Sequence, residues 1–382
     1  MANLKLTLAC WDYDRTRALF DGRVRPEGID LELWSTYNVG EIMERMLRHR
    51  QFEVSELGIT YYLRSLELAG APFIAIPVFP NRSLSLEVVD RFLIPELSKD
   101  KSVIFFVIDC LRLDQWLTME SLLHEYFDIS KQFYFSILPT ATPYSRNAIF
   151  SGSYPSDVEL RHPELWEKSE DDESSRNRYE RQFLDKLLER RKITLRPEPK
   201  YVKILDAEFG RGIESNINSY AQTKLTSIVV NFVDMLAHGR SDSSLLKEIA
   251  PDESAYRSLT RSWFVHSSLF GMLRTLSKNK HVTVVLTTDH GSIRSLRGAK
   301  VLGDREASTN LRYKYGRNLK CEDKAAIFVK NPADFKLPKR GVAGNYIIAK
   351  EDFYFVYPTD YHKYLNQFGS SFSERPTAEN VP

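Results

Sequence analysis

The chain has 382 residues, 42% of them hydrophobic and 27% charged, with a formal net charge of +2. That is enough for two domains or one large one with a full core, and a balance of charge that neither demands nor excludes an anionic partner. Cys10, Cys110 and Cys321 are far apart and odd in number, which excludes a disulfide framework. No apolar run is long enough to span a membrane, and the start is too short in apolar residues for a signal peptide, so we expect a cytoplasmic protein.

Leu4 to Cys10 alternates as a strand does, and Arg15 to Phe20 reads as a helical turn. Gly28 to Leu33 is a second strand, and Glu41 to Arg48 a helix with Ile42, Met43 and Met46 on one face. Val54 to Ile59 and Pro72 to Phe79 are further short strands, which makes a small α/β unit. The stretches MANLKLTLACWDYDRTRALFDGRVRPEGIDL, RMLRHRQFEVSELGITYYLRSL and PFIAIPVFPNR resemble the amino-terminal part of the 4,5-dihydroxyphthalate decarboxylase family. The resemblance implies one lobe, residues 1–82, of a fold similar to the two-lobed periplasmic binding proteins. It also implies that a decarboxylase site, which lies between two lobes, would be incomplete in such a segment.

Asn81 to Ser85 reads as a boundary, and Val88 to Ile94 has helical spacing. Val103 to Ile108 is a continuous apolar strand that ends in Asp109, followed by helical periodicity from Leu111 to Phe127. Phe133 to Leu138 reads as another strand. Thr142 then precedes Pro143, a residue suited to a helix start, so its hydroxyl sits at a helix amino terminus, where the dipole favours an anion. Such a threonine also serves simply as an N-cap. Arg146, one helical turn on, suits either a clamp on a phosphate oxygen or a surface ion pair.

Ser169 to Ser175 is a charge run suited to a solvated loop, and Arg178 to Arg191 reads as an exposed helix. Val202 to Leu205 is a short strand and Gly212 to Lys224 a helix. Leu225 to Val233 is a further apolar strand with Asp234 at its end. His238 follows four residues later and shares a face with Asp234 if the chain is helical there. Together they suit one divalent metal, or a cap and a surface histidine. Ser254 to Asn279 reads as one long helix. His281 to Leu286 is a β-branched strand ending in Thr287-Thr288-Asp289-His290-Gly291. A carboxylate and an imidazole do not belong inside a sheet unpaired. At the carboxyl end of a parallel strand they face the crevice where open α/β sheets bind ligands.

Strand-end acids at Asp109, Asp234 and Asp289, two with a histidine nearby and a threonine at a helix start between the first and second, have the order of the alkaline phosphatase superfamily. VIFFVIDCLRLDQW, YFSILPTATPYSRNAIFSG, VVNFVDMLAHGR, YRSLTRSWFVHSSL, LTTDHGSIR and TNLRYKYGRNL resemble its PglZ-domain, PorX-type branch. The resemblance implies an alkaline-phosphatase-like α/β domain at 84–372, a mostly parallel sheet flanked by helices, and leaves 373–382 as a polar tail. It implies a metal-dependent hydrolase of phosphomonoesters or phosphodiesters, an oligonucleotide being one such substrate. Thr142 would be the nucleophile and Arg146 a substrate clamp. Asp109, Asp289 and His290 would hold one ion, and Asp234 and His238 the second, zinc first and manganese next. Lys314 and Arg317 are further contact candidates. One departure stands out: the branch places a late histidine on the second metal, and Phe368 to Pro376 contains none. His362 is the nearest substitute. The resemblance therefore implies a weak second site and an impaired enzyme, or a non-catalytic signalling module on a damaged phosphatase fold.

Overall fold

The computed structural model describes residues 3–12, 16–58, 62, 65, 73, 83–99, 101–166, 177–303, 310–339, 344–358 and 377–381. The chain divides into two compact units, Met1–Arg82 and Ser83–Pro382.

In the first unit β1 (Leu4–Ala9) lies between β2 (Ile29–Trp34) and the two-residue β3 (Val54–Ser55), all parallel. A one-turn helix, α1 (Arg17–Phe20), follows β1. Helix α2 (Val39–His49) starts at Asn38, whose side chain accepts the Gly40 N–H. Its apolar face sets Ile42 and Met46 against Ala9, Trp34 and Phe52, the core of this unit. Arg15 and, apart from Phe73, the strand expected over Pro72 to Phe79 lie outside the described residues.

The second unit is built on a four-stranded parallel sheet of order β5-β6-β4-β7: β5 (Lys200–Ile204), β6 (Leu225–Val230), β4 (Ser102–Ile108) and β7 (Val282–Thr287). Residues Val103 to Ile108 are wholly buried. A run apolar at every position suits a strand covered on both faces. Val103, Phe105 and Val107 pack with Ala148, Ile149 and Phe150 of α4 (Thr142–Ser151) and with Leu184 and Leu187 of α5 (Glu180–Arg190). Ile104, Phe106 and Ile108 pack with Met119 of α3 (Leu113–Glu120) and Ile213 of α6 (Ala207–Tyr220). The same face takes Phe264 of α8 (Glu253–His266) and Leu273 of α9 (Ser268–Leu276). Helix α7 (Phe232–Asp242) follows β6 directly. From β4 the chain goes to β5 and β6 on one side and returns to β7 on the other. The carboxyl ends of β4 and β7 therefore meet at a topological switch point, the usual place for a ligand crevice.

Smaller strands complete the unit. β8 (Gly291–Arg294) pairs antiparallel with β14 (Thr377–Val381), and β9 (Arg297–Lys300) pairs parallel with β13 (Phe353–Val356). β10 (Tyr313–Gly316) and β11 (Ala326–Val329) flank β12 (Asn345–Ala349) antiparallel. The mixed α/β architecture with a parallel sheet between helices is the expected one.

Several elements depart from the sequence reading. Phe133 to Leu138 is not a strand: Phe135 makes one isolated bridge to Leu84, while Tyr134 and Ser136 spend their hydroxyls on the loop after β7. The expected long helix breaks at Ser267, extended at φ −84° and ψ 152°, whose side chain caps α9. The helix expected to be exposed is α5, with Glu180, Phe183, Leu184, Leu187 and Leu188 buried. The segment read as a polar tail contributes β14, because a ladder uses backbone groups that every non-proline residue carries.

Candidate functional site

Two loops build the site. After β4 the chain turns sharply at Cys110, in the left-handed region at φ 63°. This turn aims the Cys110 N–H at Asp289 Oδ1 (3.2 Å) and the Leu111 N–H at the Thr288 hydroxyl (3.1 Å). Thr288 in turn donates to the His290 carbonyl at 2.7 Å. Ser136 donates to the Asp289 carbonyl at 2.7 Å, and the Tyr134 hydroxyl to that of Thr288. The loop after β7 is thus held from both sides, with Asp289 1% and His290 3% exposed.

The donor atoms of Asp109, Asp289 and His290 all lie within 4.8 Å of one another, the one such buried group among the described residues. His290 Nδ1 is 3.0 Å from the Gly291 carbonyl. A carbonyl only accepts, so Nδ1 carries a proton and Nε2 faces inward. Nε2 lies 2.8 Å from Thr142 Oγ1, which is 3.4 Å from Asp109 Oδ1. Thr142 is the first residue of α4, Pro143 the second, and Ala141 the N-cap. Its hydroxyl makes no capping bond and faces the cluster instead.

Arg146 is not a surface residue. Arg146 is 1% exposed, and its guanidinium lies 2.5 Å from Asp109 Oδ2 and 2.6 Å from Glu180 Oε1. Glu180 also accepts the Tyr201 hydroxyl. Two of the arginine's faces are therefore taken by carboxylates, which makes it a brace for Asp109 and removes the ground for an open phosphate clamp. Sequence reading missed Glu180. The signal was present: positions 180, 183, 184, 187 and 188 form one helical stripe, so the glutamate falls on the apolar face.

The electrostatics favour a cation. Asp109, Asp289 and Glu180 are buried together against the single guanidinium of Arg146. Burial, then the Asp109 carboxylate, push the Asp289 carboxyl up to about 7. Burial also works against the Asp109 charge, but Arg146 and His290 outweigh it and hold that carboxyl below its usual range. Burial draws the His290 imidazole down, and the Asp289 and Asp109 carboxylates more than reverse this. Asp289 Oδ2 is buried with no hydrogen-bond partner. An orphan carboxylate oxygen beside a second carboxylate and an inward imidazole nitrogen is a donor set that fits a divalent metal.

The other two expected ligands pair with each other. Asp234 belongs to the first turn of α7, not to the end of a strand, and His238 Nε2 is 3.3 Å from its Oδ2. The i,i+4 placement is as expected, and the charge of Asp234 is felt at Cys110 and His290. Neither side chain joins the group of three within 4.8 Å. His362 and Phe368 to Pro376 lie outside the described residues. Lys314 is buried on β10 with its ammonium 4.3 Å from the Tyr357 ring centroid.

Residues 88–374 match the model of the BREX system PglZ alkaline phosphatase-like domain. The amino-terminal segment is similar to the 4,5-dihydroxyphthalate decarboxylases of Comamonas testosteroni and Pseudomonas putida, 35% identical to each over 83 residues. That stretch is 22% of this chain and covers 25% and 32% of the two relatives, so the chain spans between a quarter and a third of their length. No helix among the described residues is long and apolar enough to cross a membrane.

Proposed function

The chain belongs to the PglZ alkaline phosphatase-like family, and from that premise we propose that residues 84–372 form a metal-dependent phosphoester hydrolase with Thr142 as nucleophile. The observation that carries this is the Thr142 hydroxyl, 2.8 Å from His290 Nε2 and 3.4 Å from Asp109 Oδ1, at the amino end of a helix. Asp109, Asp289 and His290 would hold a zinc or manganese ion. When bound, that ion supplies the positive charge that lowers the hydroxyl pKa and offsets charge developing at phosphorus.

The chain's own groups do the positioning. The turn at Cys110 and the Thr288 hydroxyl lock the two ligand loops together. Arg146 fixes the Asp109 carboxylate through one oxygen and leaves the other towards Thr142. The Gly291 carbonyl sets the His290 ring so that Nε2 points inward. The start of α4 presents its partial positive charge to the phosphoryl group. Thr142 Oγ1 attacks phosphorus as the ester P–O bond breaks, and its hydroxyl proton passes by way of water to the departing alkoxide, which leaves as the alcohol. A second water then cleaves the threonine–phosphorus bond and releases phosphate, or its monoester when the substrate is a diester. Asp234 and His238 would hold a second, weaker ion. The free thiols of Cys10, Cys110 and Cys321 agree with a reducing cytoplasm.

Thr142→Ala tests the reading. It should abolish hydrolysis of bis(p-nitrophenyl) phosphate and p-nitrophenyl phosphate while metal content per chain stays unchanged. Undiminished turnover removes Thr142 from the mechanism. The lack of a histidine from Phe368 to Pro376 favours one second reading, a non-catalytic module on the same fold. Metal binding without any phosphoester turnover by the wild-type chain would select it. Decarboxylation by residues 1–82 rests on likeness to a quarter to a third of the relatives' length alone; turnover of 4,5-dihydroxyphthalate would be its test.

A further inference from the structure

Sheet parity places one cation on the site's side of the sheet that the description above leaves unused. In β5, Val202 and Ile204 pack into the core on one face, and Tyr201 packs against the other, 5.8 Å from the Phe150 ring. Alternate residues of a strand share a face, so Lys203 projects on the side of Tyr201, the side of α4 and α5. Its register partner is Val229, whose own partner is Val107, two residues before Asp109. Lys203 therefore stands at the carboxyl end of the sheet, two strands or roughly 10 Å across from β4. Its ammonium is close enough to Arg146, Glu180, Asp109 and Asp289 for each to act on its charge.

A half-buried lysine beside a buried arginine calls for a carboxylate partner. Among the described residues Lys203 makes no ion pair and no side-chain hydrogen bond, and the Glu180 oxygens serve Arg146 and Tyr201. Burial pulls its ammonium below the ordinary lysine range, and Arg146 adds to this. Next to it, at the end of β6, the Asn231 N–H reaches the Ile204 carbonyl at 3.3 Å. The Asn231 side chain has a buried Oδ1 with no hydrogen-bond partner. A primary amide holds donors and an acceptor at one end of the side chain, so rotation brings its N–H₂ to the same place. An unpartnered ammonium and an unpartnered amide at the carboxyl ends of neighbouring strands lack an anion.

We infer that Lys203 and Asn231 form an anion-holding arm that receives the phosphoryl oxygens of the substrate, opposite the acidic cluster. This deepens the phosphoester reading and rests on it for the substrate class. The arm accounts for a half-buried cation without a protein partner, whose hydrogen bonds a bound oxyanion completes.

The test is inorganic phosphate binding to the metal-loaded full chain, measured by calorimetry alongside p-nitrophenyl phosphate turnover. Lys203→Met keeps the length of the side chain and removes one charge-assisted hydrogen bond, so phosphate affinity should fall about 10- to 100-fold with metal content unchanged. Lys203→Arg should keep most of it, and Asn231→Ala should lose about tenfold. Because the lysine is unpartnered without an anion, Lys203→Met should also raise Tm in phosphate-free buffer, by about 2 °C or more. A lysine with a merely structural role would lower Tm and leave phosphate affinity alone, which overturns the inference. So does a wild-type chain that binds no phosphate. Turnover with an unchanged KM in Lys203→Met also overturns the arm, and leaves the hydrolase reading standing. Phosphate binding that depends on Lys203 in a chain without turnover keeps the arm and removes the hydrolase.

Discussion

Arg146→Met isolates the electrostatic design of the site. Arg146 lies 2.5 Å from Asp109 Oδ2 and 2.6 Å from Glu180 Oε1, with both carboxylate side chains at most 2% exposed. Unit charges about 4 Å apart attract by about 4 kcal/mol at an effective dielectric constant near 20, so two such pairs come to about 8 kcal/mol gross. Desolvating the guanidinium takes back several kcal/mol, which leaves a net loss of about 3–5 kcal/mol when one partner of a buried network is removed. That is a large part of the roughly 5–15 kcal/mol that stabilises a folded domain. The variant should therefore unfold at a much lower urea concentration in the presence of chelator. Zinc should then restore more stability to Arg146→Met than to the wild type, since the cation is attracted to a site with one more uncompensated negative charge. Urea titrations followed by near-ultraviolet circular dichroism, with chelator and with zinc, measure both quantities. A variant within about 1 kcal/mol of the wild type, or one that gains less from zinc, would refute the claim that Arg146 neutralises the cluster.

Zinc titrated into chelator-treated protein should show one tight event and one weak one. Asp289→Asn should remove the tight event, while His238→Ala should weaken only the second, by at least about tenfold; a shared loss on either substitution would mean that all five residues form one centre. Gly152→Ala should cost about 2 kcal/mol, read from the urea midpoint, because Gly152 sits at φ 56° and a Cβ there meets Leu187 Cδ1 at 2.8 Å. Unchanged stability would show that the turn after α4 relaxes freely.

The periodic features were legible from the chain alone. Val103 to Ile108 and Val282 to Leu286 form strands that lead to acids, as their apolar runs suggest. The first is wholly buried, while the second is only half-buried because it lies at the edge of the sheet. The order of Asp109, Thr142, Asp289 and His290 carried the family resemblance, which the match over residues 88–374 bears out. Periodicity reports which face of an element is buried, because a face repeats every two or 3.6 residues. It does not report what lies opposite that face. The sequence left Arg146 between an ion pair and a phosphate clamp. Only the packing of α4 between β4 and α5 brought it to Asp109 and Glu180, 37 and 34 residues away in the chain. Phe133 to Leu138 has the composition of a strand, but β7 remains the edge of the sheet, and the segment's hydroxyls serve the Asp289 loop. Asp234 and His238 share a helical face, as their spacing dictates, yet do not join the other three ligand candidates in one group within 4.8 Å. A distance between side chains on different strands is set by the tilt and register of whole elements, and no local pattern of residues encodes it.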